Sequence, residues 1–212
     1  DISKYESPQI KMSANIFKSV KLDRKAIFSL LILALFLYVC GELALTGWIP
    51  TFLRTERAIS EFYAGQAISF FWLAMIAGRI ITGFLSKKFS ILKILIIVTL
   101  LSTASMILGI YSTNIIWIFT SIILAGLFAA GLWPLLIAEG GILFSENRNS
   151  AVSLISLIGG SGGLFVPFLL GFVYRQLGLF VAMNLSYIFM FLLFICLLVL
   201  FFIIKRKKKY II

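Results

Sequence analysis

The sequence predicts an all-α membrane protein, six transmembrane helices built as an inverted 3+3 repeat, and three observations carry that prediction. Hydrophobic residues make up 61% of the 212-residue chain against 13% charged, with a mean hydropathy of +1.09; soluble domains hold about 45–50% apolar and about 25% charged residues. The apolar residues are gathered into repeated runs of twenty or more, the length that crosses hydrocarbon. Lys and Arg are sorted strongly to alternate sides of those runs.

The runs predict helices over residues 26–53, 61–85, 91–111, 115–139, 150–174 and 179–204. In lipid every backbone polar group must be satisfied within the segment, so helices are the solution for runs of this length. The connectors, 54–60, 86–90, 112–114, 140–149 and 175–178, leave no room for a soluble domain. Residues 1–25 are polar and charged and predict a cytoplasmic linker or arm; residues 205–212 predict a basic cytoplasmic tail. The chain starts at Asp1 and is read as part of a longer polypeptide.

With six spans, both ends return to one compartment. That side gathers sixteen of the 19 cationic residues: the arm, then Arg79, Lys87, Lys88 and Lys93, then Arg148, then Lys205 through Lys209. The other holds Arg54, Arg57 and Arg175. Such asymmetry places both termini in the cytoplasm of a multi-pass cell-membrane protein.

The net charge of +11 invites a nucleic-acid reading, yet the charges flank the apolar runs and no basic soluble module exists to carry it. There is no His, and Cys40 and Cys196 each lie inside an apolar run. Imidazole acid/base chemistry and the common zinc and haem sites are therefore excluded, and no metal or other cofactor is expected.

Spans one and four share Gly47-Trp48-Ile49-Pro50 and Gly131-Leu132-Trp133-Pro134, 84 residues apart. Spans two and five share Gly83-Phe84-Leu85-Ser86-Lys87 and Gly171-Phe172-Val173-Tyr174-Arg175, 88 residues apart. Nearly one offset for two matches predicts a three-helix unit used twice. Three being odd, the second copy is inverted, an arrangement that places a solute site at the repeat interface. Pro50 and Pro134 each remove a ladder hydrogen bond and let their helices bend.

These residues resemble the C-terminal half of a major facilitator superfamily transporter, helices seven to twelve, and within it the fucose permease-like sugar transporters. The resemblance is carried by Tyr38-Val39-Cys40-Gly41-Glu42 running to Gly47-Trp48, by Ala77-Gly78-Arg79-Ile80-Ile81-Thr82-Gly83-Phe84-Leu85-Ser86-Lys87-Lys88-Phe89, by Gly131-Leu132-Trp133-Pro134, and by Ile158-Gly159-Gly160-Ser161-Gly162-Gly163 leading to Pro167 and Gly171. The second stretch looks like the superfamily's cytoplasmic loop signature, with Lys87 where an Asp is usual and Ser90 where a Gly is usual. The resemblance implies half of a twelve-helix fold and secondary active transport by alternating access, of a sugar with proton coupling. It also implies partners: a small solute, protons, the lipid bilayer and the N-terminal six-helix half. A drug or organic anion as substrate, or a six-helix half-transporter working as a dimer, are the alternatives.

Glu42 lies about fifteen residues into span one, about 22 Å along the axis and past the midplane. An ionisable group there is costly and faces a cavity or a partner. It accepts hydrogen bonds from a solute hydroxyl, carries the coupling proton, or bonds between helices as a structural group. Tyr38, Trp48, Trp72 and Trp133 offer rings that stack on a sugar or anchor at the membrane interface, Trp48 and Trp133 being favoured by the repeat. Arg79, Glu139, Glu146 and Arg148 are expected near the cytoplasmic ends of spans two and four, as a gate of opposed charges or as separate interfacial anchors. Gly159, Gly163, Pro167 and Gly171 recur every four residues and predict a packing face with a bend.

Gly159-Gly160-Ser161-Gly162 matches the Gly-x-Ser-Gly of six-span rhomboid proteases, but that chemistry needs a His to take the serine proton. The chain is therefore not read as an enzyme. No filter-like re-entrant segment supports a channel.

Overall fold

The structure, a computed structural model, describes residues 22–209; residues 1–21 of the expected arm and the last three residues of the expected tail lie outside the described residues. Among the described residues nine α-helices and one 3-10 turn follow in order: α1 Leu22–Thr46, α2 Ile49–Arg57, α3 Glu61–Leu85, α4 Ile91–Tyr111, α5 Ile115–Ala129, α6 Leu132–Leu143, the 3-10 turn Ser145–Asn147, α7 Arg148–Gly160, α8 Gly162–Leu177 and α9 Leu179–Lys209. They make six segments long and apolar enough to cross a membrane: α1, α3, α4, the pair α5–α6, the pair α7–α8, and α9.

Three expected spans are not single helices. Span one stops at Thr46 and resumes at Ile49, span four turns at Ala130 and Gly131, and span five kinks at Ser161. The first two breaks fall on the paired Gly…Trp…Pro motifs. Pro50 is the second residue of α2 and Pro134 the third of α6, positions in a first helical turn where no N–H is needed. Thus the prolines start new helices and the breaks precede them. Among the described prolines Pro167 alone sits inside a helix, α8.

The expected connector 54–60 is largely α2, whose Ile49, Phe52 and Leu53 are buried while Arg54 and Glu56 point outward. That three-then-one spacing is an amphipathic stripe. Ala58 closes the helix in the left-handed region at φ 50, with the Ile59 N–H donating to the Leu53 carbonyl at 3.0 Å. An L-residue with a Cβ costs about 1 kcal/mol or more there, so Ala58→Gly is expected to raise stability by up to about 1 kcal/mol, read as a higher melting temperature in detergent.

Arg57 ties this helix down. Its Nε donates to the Ser112 carbonyl at 3.0 Å and its Nη2 to the Ile110 carbonyl, at the end of α4, while its guanidinium carbon lies 4.9 Å from the Phe52 ring centre. The last carbonyls of a helix lack intrahelical partners and carry partial negative charge, so a cation is well placed there. Arg57→Ala is expected to cost about 2 kcal/mol, the scale of a charge-assisted hydrogen bond, and to speed amide exchange in the last turn of α4.

At the next turn between spans, Gly178 is the entire link from α8 to α9; its φ of 85 is open to glycine, and its N–H donates to the Tyr174 carbonyl at 3.0 Å. The expected tail continues α9 as helix through Lys209.

Small residues set the packing. A Cβ on Gly41 would lie 2.8 Å from Met190 Cγ, joining α1 to α9, and Cys196 Sγ reaches the Leu30 carbonyl at 3.4 Å. Partner numbers fall as α1 rises, so these spans are antiparallel. Gly126 meets the Phe71 carbonyl, Gly78 meets the Leu127 carbonyl and Ala130, and Gly131 meets Thr82. Here the numbers rise together, so α3 and α5 run parallel with backbones in close approach. Buried hydroxyls on α4 are satisfied within the bundle: Thr99 and Thr103 donate to Leu95 and Thr99 carbonyls at 2.6 and 2.8 Å, and Ser102 crosses to the Ala125 carbonyl at 3.3 Å.

Spans two and five are the least enclosed, with 28% and 22% of their most apolar stretch buried. Both follow one stripe inward. On α3 it is Ala64, Ala67, Phe71, Met75, Gly78 and Thr82; along span five it is Ala151, Ile155, Gly159, Gly162, Val166 and Leu170. Many of the remaining side chains on each helix are exposed and apolar, among them Leu73, Ile76 and Ile80 on α3 and Leu164, Phe168 and Phe172 on α8, as hydrocarbon or a further helical partner requires.

Candidate functional site at the middle of the bundle

Depth within the bundle can be read from contacts. Span four runs Ile115–Leu143, so its middle is near residue 129. Gly78 touches Leu127 and Ala130, and Thr82 touches Gly131. Arg79, one residue from Gly78, is therefore level with the middle of span four, although it lies six residues, about 9 Å, from the C-terminal end of α3. Leu31 reaches Gly140 in the antiparallel α6. Eleven residues further along α1, about 16 Å, Glu42 arrives at that same middle level, nearer the centre than a count from the start of the run suggests.

The two meet electrostatically. Tyr38 and Glu42 are one helical turn apart on α1 and so share a face, and Arg79 comes near enough for its charge to act on both. Tyr38 is buried and Glu42 half-buried. Arg79 is exposed, its Nη2 lying 3.6 Å from Met75 Sδ, a weak acceptor. Among the described residues no carboxylate lies within ion-pair reach of it; the ion pairs there are Arg24–Glu146 and Arg54–Glu61. A phenol, a carboxylate and a guanidinium thus gather at the middle of an apolar bundle, beside the break of span four at Ala130 and Gly131. Broken helices and ionisable groups at mid-depth are the usual ingredients of a solute or ion site in transporters.

The other expected site residues fall around this cluster. Trp133 is half-buried just below the span-four break, and a Cβ on Gly160 would lie 3.6 Å from its Cη2, so it bridges to the kink of span five. Trp48 occupies the span-one break about 9 Å beyond Glu42 and meets the Tyr174 ring at 5.3 Å. Trp72 is exposed and packs edge-on against Phe71 at 5.5 Å.

The expected gate is not assembled. Arg79 lies about 14 Å along the axis from the level of Glu139, two turns too far. Glu139 is buried and already engaged. Glu146 pairs instead with Arg24 at 3.3 Å, both side chains largely exposed, an arrangement worth little. Arg148 lies over Gly141, whose Cβ would sit 3.1 Å from its Nε.

The expected glycine face is shifted. Gly159 packs on Leu35 and Gly163 lies near Leu43, but Pro167 is exposed and nothing comes within 4 Å of a Cβ on Gly171. Gly162 takes their place, against the Phe36 carbonyl and Cys40 Sγ. The inward stripe therefore drifts off a strict four-residue spacing, as a kinked helix of 3.6 residues per turn does.

Residues 8–211 match the family model of the Major Facilitator Superfamily. The chain is similar to the glucose/mannose transporter GlcP of Bacillus subtilis (strain 168), 27% identical over 141 residues that cover 66% of this chain and 35% of that protein. It is similar to a TsgA homologue of Buchnera aphidicola subsp. Acyrthosiphon pisum (strain APS), 24% identical over 202 residues, 94% of this chain and 51% of that protein. Its fold is shared with the fucose:proton symporter FucP of E. coli, with a TM-score of 0.74 and 17% identity over 94% of this chain and 47% of that one. A peptide transporter POT in complex with alafosfalin gives a TM-score of 0.73 at 17% identity over 81% of this chain and 37% of that one. The chain spans about half or less of the length of these relatives.

Proposed function

The chain belongs to the major facilitator superfamily, a family of membrane transporters and not of enzymes, and on that premise we propose that it forms helices seven to twelve of a proton-coupled sugar transporter working by alternating access. The observation that carries this reading is the Tyr38–Glu42–Arg79 cluster at mid-depth beside the break of span four. The similarity to a glucose/mannose transporter and the fold shared with a fucose:proton symporter support the sugar and the proton.

In this reading Glu42 carries the coupling proton, Tyr38 holds its carboxylate, and Trp133 presents an apolar ring face to the sugar. The breaks at Gly47–Trp48 and Ala130–Gly131 are the points about which spans one and four bend as access alternates. An N-terminal six-helix half covers the exposed sides of α3 and α8 and completes the cavity. Both chain ends face the cytoplasm of the cell membrane. With Arg79 moved to mid-depth the cationic balance is fifteen against three, and the asymmetry that orients the bundle survives.

The test is uptake of labelled glucose, mannose and fucose by cells making the complete polypeptide, with and without a protonophore. Accumulation that collapses with the protonophore is expected; accumulation indifferent to it removes proton coupling, and uptake of none of the three removes these neutral sugars as substrates. Reporter fusions at the two ends are expected on one face of the membrane, the cytoplasmic one.

A further inference from the structure

Resting on that reading of the site, we propose that the sugar it carries is an anionic one, a monosaccharide bearing a carboxylate that Arg79 binds directly. A guanidinium offers five donors in a planar fork that matches a carboxylate with two parallel hydrogen bonds. Arg79 is placed to use it: exposed at mid-span, one residue from the Gly78 contact with span four, its Nη2 resting only on a thioether, and with no described carboxylate in ion-pair reach. A neutral sugar needs no cation there, and a charge at membrane depth is costly to keep.

Glu42 makes the arrangement self-consistent. Tyr38 from its own span and Arg79 from span two are the titratable and charged groups that act on it among the described residues. With the site empty, the Glu42 carboxylate balances Arg79. When an anionic sugar binds, Arg79 turns to the new carboxylate and Glu42 takes a proton, so the site again holds one positive and one negative charge. Solute anion and proton then travel together, and the loaded carrier moves no more charge than the empty one.

The experiment uses the complete transporter, purified and reconstituted, with labelled D-glucuronate, D-glucose 6-phosphate and D-glucose as probes. Binding is measured separately from transport. Glucuronate is expected to bind at least about tenfold more tightly than glucose, and Arg79→Gln to weaken it by about tenfold to a hundredfold, the range of a charge-assisted hydrogen bond, so that its preference over glucose is lost. Arg79→Lys keeps the cation without the fork and is expected to retain an intermediate preference. Glu42→Gln, which mimics the protonated carboxyl, is expected to bind glucuronate still. Elution profile and melting curve check folding; should Arg79→Gln fail them, the preference of Arg79→Lys for glucuronate over glucose decides, an unreduced preference overturning the proposal.

Preference for glucose 6-phosphate, lost in Arg79→Gln, keeps the anion and makes phosphate its source. Glucose bound as well as glucuronate, with Arg79→Gln indifferent to both, overturns the proposal and leaves sugar transport standing. Failure of all three probes, with glucose, mannose and fucose uptake also absent, brings down the sugar reading itself and this inference with it.

Discussion

Glu42→Gln is expected to abolish concentrative uptake by the complete transporter while exchange of solute across the membrane continues. The side chain sits half-buried at mid-span, one helical turn from Tyr38 and within the field of Arg79. Glutamine keeps the size and much of the hydrogen bonding but cannot release or take a proton. The carrier therefore still binds, turns over and exchanges, yet the proton gradient no longer drives it. In a vesicle assay the accumulation ratio should fall to the equilibrium value, and counterflow should persist. Uphill accumulation equal to that of the unaltered protein would assign Glu42 to structure alone.

Gly78→Val and Gly126→Val are expected to prevent stable assembly of the bundle. A Cβ at either position is driven into a carbonyl of the facing helix, Leu127 for Gly78 and Phe71 for Gly126. Backbone, unlike the end of a flexible side chain, cannot swing away, so α3 and α5 must part along their whole parallel contact. Overpacking ordinarily costs about 1–3 kcal/mol and occasionally more; a backbone collision belongs at or above the top of that range, against a total stability of about 5–15 kcal/mol for a folded domain. Gly83→Ala and Gly171→Ala are the matched controls, since nothing lies within 4 Å of either Cβ, and Ala in a helix is favoured by about 1 kcal/mol. Size-exclusion profiles and melting curves of the four variants should separate into two collapsed and two intact. Intact Gly78→Val would mean that the two helices do not touch as described.

The contrast among these glycines shows where sequence reading ends. Six spans are legible because hydrocarbon imposes a length on every crossing run, and length survives in one dimension. Glu42 is legible because a carboxylate inside such a run is conspicuous wherever it points. The breaks at Gly47–Trp48 and Ala130–Gly131 left their mark in the paired Trp and Pro motifs. The kink at Ser161 carries no proline and was hidden inside a glycine-rich run that resembled a packing face. Gly78 and Gly126 are ordinary glycines until the parallel partner is known. The neighbourhood of Arg79 is not legible from its own helix, because it is set by the middle of span four, which packs alongside Gly78. Of the residues expected as a gate, Arg79, Glu139, Glu146 and Arg148, Glu146 pairs with Arg24, which the sequence marks only as a cationic flank. Arg57 was counted as a topology marker, and its hold on the end of α4 depends on the Ile110 and Ser112 carbonyls, which only tertiary structure brings to it.

The single-residue joint at Gly178 has a mechanical consequence. With no slack between α8 and α9, the far tip of α8 is leashed to the stout sixth helix, which is itself seated along α1 and α4. If α8 swings, it pivots at that leash, and its travel is greatest at Ser161, beside Trp133 and the middle of the bundle. Leverage in this half would then be delivered inward, toward the cargo, and not out at the rim.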